Sequence, residues 1–186
     1  MTDHRSAAPL CIICAVKRIC LAIVFVCAVL ASGLAGSQDQ PPPKPVFPDD
    51  VVFISLDGKN SMTIAEVRGR PVLLTFWASW CGPCRVELPE LSKLHGELVG
   101  RGFVLITVNV DQHPLLGQRF LDELDLTLPV YRIDPEVTKA LGINALPANI
   151  LLDTDGRLVQ AYKGYTPQVV EEVRRLVIEM TEPDAS

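Results

Sequence analysis

Beyond its first 36 residues this chain has only two cysteines, Cys81 and Cys84, so that part lacks the material for a disulfide framework. It also lacks an excess of positive charge. The formal net charge is −5, which gives bulk electrostatics no reason to expect nucleic acid as a partner. Three histidines and three methionines are scattered rather than clustered. That is poor support for a soft-metal carrier, which would want such ligands beside its thiols. No internal repeat is present. Acidic residues are nearly missing from the first 36 positions, where Asp3 stands against Arg5, Lys17 and Arg18. The remainder is therefore more acidic than the whole chain. A length of 186 residues suits one ordinary domain with a short appendage.

What the N-terminal segment does have is an apolar run. Lys17-Arg18 precede 17 uncharged residues, Ile19 to Ala35, and polar Ser37-Gln38-Asp39-Gln40 follow. Positive charge, apolar core and small residues are the parts of an export signal. Small residues cluster at Ala31 and Ala35, where a peptidase would cut, and the run is also just long enough for a membrane anchor. Residues 1–36 thus read as a signal peptide or a retained anchor. Either way the basic residues favour a cytoplasmic N-terminus and an exported remainder, on the periplasmic or extracytoplasmic side of the membrane. Cys11, Cys14, Cys20 and Cys27 sit among aliphatic residues, where cysteine behaves as a small hydrophobe. The Cys11–Cys14 spacing has no glycine or proline turn and no second ligand pair for zinc.

Residues 37–48 read as a linker. Four prolines fall between Pro41 and Pro45, which favours extended polyproline II. The domain proper is expected over 49–181, with a tail at 182–186. Strands are expected near 51–55 and 61–64 around the Asp57-Gly58 turn. "PVLLTFWAS", 71–79, is apolar on both faces, as suits a central strand. A helix follows Trp80 and runs to about Val99. A second buried strand covers 102–110. An amphipathic helix presents Leu115, Leu116, Phe120, Leu121 and Leu124. A short extended piece, a helix from Asp134-Pro135, a hairpin around "DTDG" and a final helix from Thr166 complete the order. A parallel unit followed by a hairpin predicts an α/β fold with a mixed central sheet and helices on both faces.

The chemistry gathers where the first buried strand turns into a helix. "WCGPC" places Cys81 and Cys84 in the first turn, where free backbone N–H groups and the helix dipole favour an anion. Cys81, expected to be exposed, is thereby expected to ionise below the free-cysteine value of about 8.5. Cys84, one turn further in, is expected to be shielded. A thiolate at Cys81 can attack a partner disulfide, and Cys84 can then attack Cys81 and release the partner. Gly82 permits close approach, and Pro83 suits a first turn because it has no N–H to lose. Trp77 and Trp80 are expected to offer flat apolar surface to a partner. Glu87, three residues after Cys84, has two readings: a proton acceptor for Cys84, or an acid that stabilises an early helical turn. Pro89 falls inside the helix, where it removes one backbone bond and should kink the helix without ending it. Leu146-Pro147 precede a strand. That is where proline belongs, and a cis bond there would free backbone groups for docking an extended peptide, although most X–Pro bonds in folded proteins are trans.

Together these residues resemble the thioredoxin superfamily and, within it, the TlpA/ResA-like exported thiol–disulfide oxidoreductases. The resemblance rests on "FWASWCGPC", on "VELPEL" after it, on Pro89 and on "LPANILLD", and it spans about residues 47–181. It implies a thioredoxin fold with an N-terminal β-hairpin extension and an added helix and strand between Asp111 and Asp134. It implies a cis Leu146–Pro147 bond and a proton-handling Glu87. It also implies a reductant of disulfide-bearing exported proteins, apocytochrome c among them, re-reduced by a membrane thiol–disulfide electron donor. No cofactor is called for. One departure stands out: thioredoxin has a buried Asp six residues before the first cysteine, and here that position is Thr75. Glu87 is then the residue left to do the buried-acid work.

Other readings compete. The cysteine pair could hold Cu(I) in a copper-delivery protein, with His95 or His113 nearby. The same pair could work as a disulfide oxidant. A peroxidase would need an arginine such as Arg85 beside its cysteine. A purely structural disulfide would close almost no loop and so add little stability.

Overall fold

The computed structural model describes residues 44–182. The expected signal or anchor (1–36), most of the expected linker (37–43) and the end of the tail (183–186) lie outside the described residues. Among the described residues no helix is long and apolar enough to cross a membrane.

Among the described residues seven strands and four α-helices follow one another much as the sequence predicts. They are β1 (Val52–Ser55), β2 (Ser61–Thr63), β3 (Val72–Trp77), α1 (Gly82–Leu98), β4 (Val104–Asn109), α2 (Pro114–Glu123), β5 (Val130–Arg132), α3 (Pro135–Ala140), β6 (Ala148–Leu152), β7 (Leu158–Lys163) and α4 (Pro167–Thr181). The strands form one sheet in the order β2-β1-β5-β4-β3-β6-β7. β3 pairs parallel to β4 and antiparallel to β6, so the sheet is mixed. All six residues of β3 are buried, as their apolar character on both faces requires at a sheet centre.

Side-chain alternation sorts β3 into two faces. Val72, Leu74 and Phe76 join the cluster of Phe53, Ile106, Val108 and Ile150, against which Val137 of α3 packs. Leu73 faces Leu91, Leu94 and Leu98 of α1 and Val170, Val173 and Val177 of α4. Thr75 and Trp77 share that second face. The core-facing positions of α1 are Cys84, Glu87, Leu88, Leu91, Leu94 and Leu98, the three-and-four spacing of a helix that buries one stripe. An acid therefore occupies a core slot. Pro89 lies within α1 without ending it.

The expected turns form for identifiable reasons. In the β1–β2 hairpin the Asp57 carboxylate accepts from Ser55 Oγ at 2.6 Å and from the Lys59 N–H at 3.1 Å, and Gly58 takes φ +70°. In the β6–β7 hairpin Asp153 Oδ1 accepts from the N–H groups of Asp155 and Arg157. α3 starts on Asp134, whose side chain accepts from the Glu136 N–H at 2.8 Å. Thr166 holds the N-cap position of α4, but its side chain makes no capping bond.

The linker expected to reach Pro48 gives way to the domain earlier, because Pro45–Phe47 are tied to it. Val46 bridges Arg157, the Phe47 N–H donates to Gly156 O, and the Leu158 N–H donates to Pro45 O. Phe47 is buried against Phe53. The apolar stripe of α2 also begins later than expected. Leu115 and Leu116 are exposed, and the helix first meets the core at Gly117, Phe120 and Leu121. Gly117 makes that approach possible, because a Cβ there would stand 2.8 Å from the Asn109 side chain.

Candidate active site at the end of the central strand

β3 delivers Trp77 and Ala78, both fully buried, to the edge of the core. The chain then makes a short loop that is bolted down before it enters α1. The Asp111 carboxylate accepts from the Ser79 N–H at 2.9 Å, from Ser79 Oγ at 3.0 Å and from Asn109 Nδ2 at 2.8 Å. The Cys81 N–H closes the loop on Ala78 O. Asp111 and Asn109 are almost wholly buried, so these bonds are made away from water, where leaving any one unmade is costly. Sequence reasoning passed over this clamp. Its signal, the polar pair in "VNVDQ" closing an apolar strand, is weak without knowledge of what it faces.

Cys81 is the N-cap of α1, with extended backbone (φ −85°, ψ 104°). Its Sγ accepts from the Cys84 N–H at 3.2 Å, the bond a capping oxygen would make. The two cysteines are joined as a disulfide. Cys84 is fully buried, as expected. Cys81 is not the exposed residue the sequence suggested: it is only 5 % accessible. Its sulfur turns back over the helix end and packs with Trp77, Leu88, Phe120 and Leu121. Trp77 is likewise inside, 5.5 Å from the Phe120 ring, and offers a partner nothing. Trp80 does, at 72 % exposure, with Gly82 and Pro83 exposed beside it.

Arg85, in the first turn of α1, lies 4.6 Å over the Phe120 ring and pairs with Glu123 at 3.0 Å. It fastens α2 to the site and is turned to that purpose rather than to the sulfurs. His95 lies in the last turn of α1, 11 residues beyond Cys84, which is roughly 16 Å along a helix. His113 is the N-cap of α2. Among the described residues no group of three or more His, Cys, Asp or Glu side chains could hold a metal ion.

The second wall comes from β6. The Leu146–Pro147 bond is cis, Pro147 is buried, and its carbonyl accepts from the Gly164 N–H. The strand begins one residue later, at Ala148. Leu146 packs against the cluster that contains both cysteines. Between Leu146 and Trp80 opens a cleft of about 320 Å³, also lined by Val110, Thr138, Ile143, Asn144 and Ala145.

Glu87 is fully buried on the core face of α1. Its Oε1 accepts from Asn149 Nδ2 at 2.8 Å, and its Oε2 has no partner among the described residues. Burial pushes its pKa up to about 7, against the opposing effect of the Asn149 bond. Asn149 is itself held, since Thr75 Oγ1 donates to its Oδ1 at 2.8 Å. Thr75 and Asn149 are direct cross-strand partners on β3 and β6. The position where the sequence lacked an acid thus connects, through one amide, to the acid on the helix. Asn149 was not singled out from the sequence; its only signal is an amide inside the apolar run "LPANILL".

A cysteine pair at a helix start, a buried acid that changes charge near neutrality and an open cleft across from an exposed tryptophan make an arrangement suited to exchanging disulfides. Comparison with known proteins points the same way. The Redoxin family model matches residues 44–177. The chain is 38% identical over 129 residues to the thiol-disulfide oxidoreductase ResA of Halalkalibacterium halodurans, covering 68% of this chain and 72% of that protein. Among solved structures, StoA from Bacillus subtilis aligns at 26% identity with a TM-score of 0.56, covering 73% of this chain and 98% of that one. The thioredoxin domain of a thiol-disulfide oxidoreductase from Bacteroides vulgatus shares the fold at 22% identity and a TM-score of 0.64, covering 77% and 100%.

Proposed function

This chain belongs to the redoxin family and is a TlpA/ResA-like thiol–disulfide oxidoreductase of the thioredoxin superfamily, and from that footing we propose that it reduces disulfides in exported proteins. In the dithiol state the Cys81 thiolate attacks one sulfur of a substrate disulfide. A Cys81–substrate bond forms, and the other substrate sulfur leaves as a thiolate and takes a proton. Cys84, once deprotonated, attacks Cys81 Sγ and expels the second substrate thiolate. Two electrons have passed to the substrate, and the enzyme is left with the Cys81–Cys84 disulfide.

One observation carries this reading: Cys81 Sγ sits at the N-cap of α1 and already accepts the Cys84 N–H. The same donor, with the dipole behind it, would stabilise a thiolate once the disulfide opens. Glu87 supplies the proton step for Cys84, because a carboxyl that titrates at about 7 can both take and return a proton at neutral pH. Trp80, Gly82, Pro83, Leu146 and Pro147 form the docking rim. The exposed ring and the cleft beside it suit an extended, partly apolar peptide that carries the cysteine.

The domain works on the extracytoplasmic side, delivered there by residues 1–36. Its substrates include oxidised apocytochrome c, and a membrane thiol–disulfide donor restores the dithiol. The reductant direction rests on the Gly-Pro pair between the cysteines and on the family resemblance. The test is to express a Cys84→Ser variant in its own cell envelope and identify what stays linked to Cys81. Apocytochrome or other cysteine-bearing exported proteins are expected. If no mixed disulfide accumulates, attack by Cys81 is not the route. An equilibrium with glutathione that lies strongly on the oxidising side would reverse the direction.

A further inference from the structure

We propose that Thr75 and Asn149 are positioning residues that hold an amide N–H against Glu87 Oε1, so that Oε2 is the oxygen that carries the exchangeable proton. The proposal rests on the reading that Glu87 trades a proton with Cys84, and it adds the device that fixes the carboxyl's orientation and charge.

An asparagine amide is nearly symmetric in shape but opposite in chemistry at its two ends. With the NH₂ toward a carboxyl it favours the carboxylate; with the C=O toward it, it favours the protonated acid. An asparagine facing a carboxyl that changes charge could present either end. Here the NH₂ faces the acid, and a hydroxyl holds the other end in that orientation. Thr75 Oγ1 donates to Asn149 Oδ1 at 2.8 Å, which leaves Nδ2 facing Glu87 Oε1 at 2.8 Å. All three side chains are at most 1 % accessible, so bulk solvent does not reach them.

The backbone makes the arrangement rigid. Thr75 and Asn149 are paired in register between β3 and β6, at the centre of the sheet. Their side chains rise from the same face, the one that α1 covers. Glu87 lies one turn along α1 from Cys84, on the buried stripe. Three elements thus meet through two hydrogen bonds. Among the described residues Asn149 of β6 bonds Glu87, with Thr75 behind it on β3, Cys84 lies one turn earlier on the same helix, and no charged side chain contributes to the raised pKa.

The consequence is an asymmetric carboxyl. Oε1 is occupied in both protonation states, because it can accept from Nδ2 whether or not the acid is ionised. Among the described residues Oε2 has no partner. A proton taken up by the carboxyl therefore settles on Oε2, the oxygen with no donor against it. The Asn149 bond also opposes the upward push of burial and keeps the group titratable near neutrality. Without that bond the acid would stay protonated to higher pH and be a poorer acceptor.

The experiment follows the Glu87 carboxyl by carbon NMR across a pH titration of the oxidised full chain. It also measures the pH profile of the reduced chain's exchange with oxidised glutathione. Asn149→Leu removes the donor. Thr75→Val removes the hydroxyl and keeps the shape, and Thr75→Ser restores the hydroxyl. A hydrogen bond to a charged group is worth about one pH unit or more, so Asn149→Leu should raise the carboxyl midpoint by at least about one unit. Thr75→Val should raise it by less, and Thr75→Ser should return it to the wild-type position. The rising limb of the exchange profile should move with the carboxyl. If Asn149→Leu does not fold, the two Thr75 variants carry the test. Wild-type midpoints in folded Asn149→Leu or Thr75→Val overturn the proposal. Glu87→Gln separates the two ideas: unchanged exchange in that variant, together with a shifted midpoint in Asn149→Leu, would remove Glu87 from the reaction and leave the positioning intact.

Discussion

Burial of Glu87 should appear as a pH-dependent loss of stability that Glu87→Gln abolishes. The carboxyl moves from an ordinary 4.5 to about 7 in the folded, oxidised protein. Between those values the folded chain holds a proton that the unfolded chain has lost. Stability must therefore fall as pH rises through this window and level off above it. Each pH unit of the difference corresponds to about 1.4 kcal/mol, so the loss between pH 4 and pH 8 is about 3 kcal/mol. Glutamine keeps the shape, accepts from Asn149 Nδ2 and carries no charge, so it should show no such loss. The other titrating groups are common to both proteins and cancel in the comparison. The assay is equilibrium urea unfolding of the two oxidised proteins at several pH values and fixed ionic strength. The gap in unfolding free energy should widen toward pH 8 by about 3 kcal/mol in favour of the variant. Parallel curves would refute the reasoning, because they would mean the buried acid ionises as easily folded as unfolded.

Asp111→Ala leaves the Ser79 N–H, the Ser79 hydroxyl and Asn109 Nδ2 without their acceptor. It should cost about 2–4 kcal/mol in unfolding experiments and also slow exchange by loosening the loop before Cys81. Trp80→Ala removes a side chain that is 72 % exposed, so it should leave stability unchanged. Its turnover of a protein disulfide should drop several-fold, while turnover of oxidised glutathione, which has no apolar side chain to lay on the ring, should not.

The parts of this molecule that follow from local sequence were readable, and those that depend on distant partners were not. The element order was readable because each strand and helix has its own apolar period and its own punctuation, such as Asp57-Gly58 or Asp134-Pro135. The place of the cysteine pair was readable because the strand end and the helix start that hold it lie within the same few residues. Burial of Trp77 follows from a strand apolar on both faces, but its place beside the cysteines suggests a docking surface instead. Asn149 escaped notice because its importance comes from its register with Thr75, 74 positions earlier. The Asp111 clamp reaches back 32 positions to Ser79 in the same way. Val46 and Phe47 looked like the end of a proline-rich spacer because their partners, Arg157 and Gly156, lie in a hairpin near the other end of the domain. The resemblance to a known family supplied what physics left open, namely the cis bond before Pro147 and the reading of Glu87 as more than a helix-stabilising acid.

The most direct test is the ionisation of Cys81 in the reduced protein, read from the pH dependence of its alkylation rate in the Cys84→Ser variant. The N-cap position predicts a midpoint clearly below the roughly 8.5 of an unperturbed thiol. A midpoint at or above that value would mean the end of α1 does not hold the anion, and the mechanism proposed for this site would be wrong.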